Sequence, residues 1–109
     1  VDILAIDGFN FGTSRTNSAW RSFDDTFRSP YARVTALGTQ PVWFTETGSS
    51  ELGGDKAAWV RGMFASTAFP RLDLIVWFNE NKETDWRMGS GSLETASKDV
   101  KVIAHEESM

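Results

Sequence analysis

The chain has 109 residues, a formal net charge of −4 and no cysteine. These values leave room for at most one domain and exclude disulfides and thiolate metal sites. Because Lys and Arg form no basic cluster, a nucleic-acid partner is not expected. Because no apolar run approaches the roughly 20 residues that cross a membrane, a membrane is not expected either.

The first apolar run, residues 1–9, is nearly continuous. Such a run is typical of a parallel strand that is covered on both faces. After a polar turn, three aromatic residues recur at helical spacing: Trp20, Phe23 and Phe27. Ser29 and Pro30 predict a break in that helix, with Ser29 as the cap of a second helix that ends at Gly38.

The second apolar run covers residues 41–47 and begins with Pro41. A proline is tolerated at the start of a strand because its missing N–H need not join the ladder. A glycine-rich turn, residues 48–54, follows it. Asp55 then predicts the N-terminus of a helix, which ends by Phe69 and Pro70.

The third apolar run covers residues 72–78, and a long polar loop follows over residues 79–91. A last helix is expected from near Ser92. Four apolar residues would share one face of it: Leu93, Ala96, Val100 and Ile103. We expect residues 106–109 to form a frayed tail.

Three strands that alternate with helices predict βαβ units and a parallel α/β sheet. Three strands cannot close a barrel, and an open sheet of that size would leave two unpaired edges. We therefore interpret residues 1–109 as a single partial-barrel domain. It would be completed by an N-terminal part of a longer protein or by a second copy.

Glu46 is the most informative polar residue, because active sites of parallel α/β folds lie at the carboxyl ends of the strands. It follows Val42 and Phe44 at a period of two, so the three side chains are expected on one face. If that face lines a barrel, the Glu46 carboxylate points at the axis and can attack an anomeric carbon. An ordinary charged residue at a strand end is the alternative.

Five segments in order carry a resemblance to a known family: IDGFN at 6–10, TETGSS at 45–50, GGDKAAW at 53–59, VWFN at 76–79 and KETDWR at 82–87. They resemble the C-terminal part of the catalytic barrel of glycoside hydrolase family 26, chiefly endo-β-1,4-mannanases with related β-glucanases. The resemblance extends to about Leu93. It implies strands six to eight of a (β/α)8 TIM barrel, a β-linked polysaccharide or oligosaccharide as substrate, hydrolysis with retention, and no cofactor.

The resemblance also implies roles for five residues. Glu46 matches the catalytic nucleophile on strand seven, and Trp77 matches the aromatic residue on strand eight that floors the sugar site. Asp7, Phe9 and Asn10 would lie beside the substrate. Core packing is the alternative for Trp77, a structural hydrogen bond for Asp7, and turn chemistry for Asn10.

The chain departs from the family pattern in two ways. Phe9 stands where the family usually has Tyr, so a hydroxyl that would orient the nucleophile is missing. The family's general acid/base is a Glu on strand four, whereas retaining hydrolysis needs a second carboxyl about 5–5.5 Å away. Glu80, Glu83 and Asp85 follow the third run, and we interpret them as charged loop residues. The isolated chain is therefore expected to be inactive.

A second hypothesis is a catalytically incomplete half-barrel that self-associates as a homo-oligomer, with saccharide binding or no enzymatic role. The single histidine, His105, is expected on the exposed side of the last helix. No His, Cys or Asp spacing indicates a metal site, and residues 48–54 lack the lysine pattern of a phosphate loop. Extracytoplasmic placement is implied by the family resemblance alone.

Overall fold

The computed structural model describes residues 2–78 and 101–105, in which strands and helices alternate. The elements are β1 Leu4–Asn10, α1 Phe23–Thr35, β2 Val42–Ser49, α2 Lys56–Ala65, β3 Leu72–Phe78 and β4 Lys101–His105. The strands form one sheet in the order β1-β2-β3-β4, and all three neighbouring pairs are parallel. The predicted α/β class with a parallel sheet is confirmed, whereas the numbering of the strands within a barrel remains a prediction.

The C-terminal helix predicted through Ile103 is wrong at its end, and the sheet has a fourth strand where three were expected. Residues 101–105 form β4, which pairs with β3 from Leu74 opposite Lys101 to Phe78 opposite His105. Val102 packs against the hydrophobic core, so the strand conformation buries an apolar side chain of this segment. The rest of that predicted helix, the loop over residues 79–91 and the tail at 106–109 lie outside the described residues.

The helix break predicted at Ser29 and Pro30 is also wrong, because α1 continues through Pro30. An interior proline costs a helix about 3 kcal/mol. Contacts of the next residue offset this cost: the Tyr31 hydroxyl accepts a hydrogen bond from the Arg71 N–H at 2.9 Å. The Tyr31 ring centroid also lies 4.9 Å from that of Phe69. Tertiary packing thus outweighs the local preference.

Both helices begin at side-chain caps. The Ser22 hydroxyl accepts a hydrogen bond from the Asp25 N–H at 3.1 Å. The Asp55 carboxylate accepts one from the Ala58 N–H at 3.2 Å, as predicted for the start of α2. Each cap satisfies a donor that would otherwise lack a partner at the helix terminus.

One face of the sheet, the helix face, packs against α1 and α2 and forms the core. Its main apolar residues are Leu4, Val42, Phe44, Leu72, Ile75 and Trp77. The rings of Phe27 and Phe44 stack with centroids 3.8 Å apart, and Phe23 meets the Trp59 ring edge to face at 5.5 Å. Full burial of one such side chain stabilises the fold by about 1.5–3 kcal/mol.

The opposite face, the open face, is covered by neither α1 nor α2. Alternation and register assign nine side chains to it: Ala5, Asp7, Phe9, Trp43, Thr45, Glu46, Leu74, Val76 and Phe78. Ala5 and Asp7 are exposed, and most of the others are half-buried. An apolar face without cover is the face that a closed barrel would turn inward. Neither helix of the described residues is long and apolar enough to cross a membrane.

Candidate active site

A β-bulge at Thr45 and Glu46 determines which way Glu46 points. Phe44 and Thr47 of β2 have two residues between them, Thr45 and Glu46. Their partners on β3 have only one residue between them, Val76. The register with β1 breaks at the same place, so β2 carries one residue more than either neighbour. Bulges of this kind redirect a side chain and are frequent next to active sites.

The expectation that Val42, Phe44 and Glu46 share one face is therefore wrong. Val42 and Phe44 are fully buried on the helix face. After the bulge, Glu46 pairs with Asp7 of β1, and Thr47 takes the buried position on the helix face. Glu46 thus lies on the open face in the carboxyl-terminal half of β2, three residues before the strand ends. The catalytic interpretation requires this face, but the bulge and not a period of two puts Glu46 there.

Asp7 is the neighbour of Glu46 across the sheet, and its side chain is exposed. Adjacent strands lie about 4.7–4.9 Å apart, so the fold places two carboxylates side by side on the open face. The Thr45 hydroxyl donates a hydrogen bond to Asp7 Oδ1 at 2.6 Å. Thr45 was not singled out from the sequence. The signal that could have identified it is its place directly before Glu46 in the same strand.

Asn10 is 1% exposed and lies on the helix face. Its Nδ2 donates to Ser49 Oγ at 2.9 Å, and its Oδ1 accepts from the N–H groups of Gly12 at 3.2 Å and Arg21 at 2.9 Å. Its carbonyl oxygen accepts from the Ser50 N–H at 2.8 Å. These bonds join the ends of β1 and β2 to the loop before α1. They are the bonds expected of a residue that stabilises the fold.

The loops that follow β1 and β2 are tied to each other at this end of the sheet. The Thr13 N–H donates to the Leu52 carbonyl at 3.0 Å. A Cβ atom at Gly54 would lie 2.4 Å from the Trp20 ring, so only glycine allows this approach. Gly53 has φ +99°, in the region that favours glycine. These contacts hold the two loops together beyond the ends of β1 and β2.

Phe9 and Phe78 form an aromatic group on the open face. Their rings meet edge to face with centroids 6.0 Å apart, and Phe11 lies 6.0 Å from Phe9 on the other side. Phe9 is half-buried and Phe78 is 8% exposed. The side chain that sequence analysis assigned to the substrate is thus packed against an aromatic residue, Phe78, that it did not single out.

Trp77 is fully buried, on the helix face of β3. Its ring meets that of Trp59 of α2 edge to face at 5.7 Å, and its strand partner is the buried Thr47. A ring in this position has no face open to a sugar. The structure therefore separates Trp77 from Asp7 and Glu46, which lie on the other side of the sheet.

The remaining sequence candidates add nothing to this constellation. Within residues 2–78 and 101–105, no group of three or more His, Cys, Asp or Glu side chains could hold a metal ion. Glu80, Glu83 and Asp85 lie outside the described residues. His105, expected on an exposed helix face, belongs to β4.

The chain matches no family model. It is 41% identical over 93 residues, 83% of its length, to Endoglucanase H of Acetivibrio thermocellus. It spans only 10% of the length of that relative. The similarity covers most of the strands and helices described above and supports a relationship between this chain and the glycoside hydrolases.

Proposed function

We propose that the chain contributes the nucleophile Glu46 to a retaining glycoside hydrolase of family 26 type. The observation that carries the proposal is the bulge, which turns Glu46 onto the open face in the carboxyl-terminal half of β2. Two further observations support it: the similarity to an endoglucanase and the ordered segments that resemble family 26. The resemblance implies that β1, β2 and β3 of this sheet correspond to strands six, seven and eight of a (β/α)8 barrel.

In the proposed reaction, a carboxylate oxygen of Glu46 attacks the anomeric carbon and forms a covalent glycosyl-enzyme. The bond from that carbon to the glycosidic oxygen breaks, and the leaving oxygen takes a proton from a second carboxyl group. Water then attacks the same carbon, returns a proton to that group and releases Glu46. The resemblance places the second carboxyl on a strand that precedes this chain, so the isolated chain is expected to be inactive.

The substrate class that we propose is a β-linked glucan or mannan. The relative is named an endoglucanase, and the resemblance extends to mannanases and β-glucanases. Asp7 is the substrate-binding residue that the geometry favours, because its exposed carboxylate lies next to Glu46. Phe9 and Phe78 supply an apolar surface beside this pair, and apolar ring surfaces pack against sugar C–H groups.

The test is hydrolysis of β-mannan and mixed-linkage β-glucan by the protein as its gene encodes it. Glu46→Gln is expected to abolish turnover while the thermal unfolding temperature stays the same. Glu51→Gln is the matched control, since Glu51 is an exposed residue in the turn after β2, and it should retain activity. Turnover by Glu46→Gln at the level of the Glu51→Gln control would exclude the nucleophile assignment.

A second candidate function is a catalytically incomplete half-barrel that self-associates, with or without saccharide binding. Two observations favour it: the four parallel strands are half of the eight that close a barrel, and the open face has no cover from α1 or α2.

Native mass spectrometry of the 109-residue chain distinguishes these candidates. A discrete dimer would favour self-association of half-barrels. A folded monomer that gains no mass over the micromolar concentration range would exclude it.

A further inference from the structure

We propose that Thr45 is a positioning residue for the Asp7 carboxylate. This inference rests on the proposed function of Glu46 and deepens it. The bulge places Thr45 and Glu46 together where each neighbouring strand has a single position. Of the two side chains, Thr45 reaches across to β1 and contacts Asp7 Oδ1 at 2.6 Å.

The direction of this hydrogen bond follows from the chemistry of the two groups. An ionised carboxylate only accepts hydrogen bonds, so the Thr45 hydroxyl is the donor. The 2.6 Å separation is within the range of a charge-assisted O–H to O⁻ bond, which is about twice as strong as a neutral one. The same hydroxyl lies 3.4 Å from the Ile6 carbonyl oxygen. Its single proton is therefore used chiefly by Asp7.

The consequence for the site is that one oxygen of Asp7 is already occupied. The Thr45 bond restricts the rotation of the carboxylate and leaves the other oxygen to accept a hydrogen bond from a sugar hydroxyl. Without that bond, an exposed aspartate next to a second carboxylate would rotate among several rotamers, and it would have to be ordered when the transition state forms. A group placed in advance beside the reacting carbon helps most in the transition state.

The experiment measures kcat and KM of the gene-encoded protein on the better of β-mannan and mixed-linkage β-glucan. The variants are Thr45→Val, Thr45→Ser, Asp7→Ala, the double variant Thr45→Val with Asp7→Ala, and Glu46→Gln. Valine matches threonine in shape and lacks the hydroxyl, while serine keeps the hydroxyl. If Thr45→Val fails to fold, as judged by circular dichroism, Thr45→Ala replaces it alone and in the double variant.

Loss of one hydrogen bond to a charged group predicts a fall in kcat of about tenfold for Thr45→Val, with KM changed less than twofold. Thr45→Ser should stay within about twofold of the unmodified protein. Removal of the hydroxyl should cause no further loss in the Asp7→Ala background, because Thr45 acts through Asp7. A purely structural role of Thr45 would instead lower activity equally in both backgrounds.

Two results would overturn the inference while leaving the proposed function intact. One is an unchanged kcat for Thr45→Val. The other is additive losses in the double variant, in each case with Glu46→Gln inactive. Turnover by Glu46→Gln would overturn the proposed function, and with it the inference.

Discussion

Replacing Asn10 by alanine distinguishes a structural from a sugar-binding role for this residue. The substitution removes three side-chain hydrogen bonds, to Ser49 Oγ and to the N–H groups of Gly12 and Arg21. At about 1 kcal/mol for each bond, the free energy of unfolding should fall by about 3 kcal/mol. The fall could be larger, because the side chain is 1% exposed and water cannot easily replace the lost partner.

Urea unfolding of the domain that contains the chain measures this change, and isothermal titration with β-linked oligosaccharides measures sugar affinity. Asn17→Gly is the matched control. Asn17 is an exposed asparagine with φ 65°, where glycine is well tolerated, so the change should remain within about 0.5 kcal/mol. A loss of less than about 1 kcal/mol for Asn10→Ala, together with a clear loss of sugar affinity, would refute the structural reasoning.

Two further predictions concern stability, each measured by urea unfolding. An added Cβ at Gly8 would lie 2.7 Å from Phe27 Cε1, so Gly8→Ala should destabilise the domain by about 1–3 kcal/mol. Gly62→Ala, in α2 with no atom within 4 Å of the new Cβ, should stabilise it by about 1 kcal/mol. Equal effects of the two substitutions would contradict the assignment of Gly8 to the face of β1 that packs on α1. Thr47 Oγ1 is buried without a hydrogen-bond partner among the described residues, so Thr47→Val should stabilise the domain by about 1 kcal/mol or more. Thr47→Ser keeps that hydroxyl, loses a methyl group and should destabilise it; a less stable Thr47→Val would show that the hydroxyl has a partner.

Local patterns predicted β3 and the start of α2 correctly. The third apolar run, residues 72–78, coincides with β3, and Asp55 caps α2 as expected. Both signals depend on residues close together in the chain. A continuous apolar run has few alternatives to a buried strand, and an N-cap needs only a side-chain oxygen and the N–H groups of the next turn.

The features that sequence analysis missed depend on contacts between distant residues. Pro30 indicates a helix end in isolation, but the packing of Tyr31 on Phe69 and Arg71 keeps α1 intact. The run at residues 101–105 fits either a helix or a strand, and pairing with β3 determines that it is a strand.

The candidate site was predicted in part. Its place on the second strand followed from the strand pattern, but the facing of Glu46 did not. A period-two count cannot detect a bulge, because the extra residue is defined by the register with β1 and β3. For the same reason, the contact between Thr45 and Asp7 could not be predicted: the two residues meet across two strands.

The most direct test of the central claim is covalent trapping of the nucleophile. The gene-encoded protein would be incubated with a 2-deoxy-2-fluoro β-glycosyl fluoride of the glucose or mannose series, digested and analysed by mass spectrometry. We expect the added glycosyl mass on Glu46 and no added mass on the Glu46→Gln variant. A glycosyl label on another carboxylate, in a protein that hydrolyses the polysaccharide, would contradict the central claim.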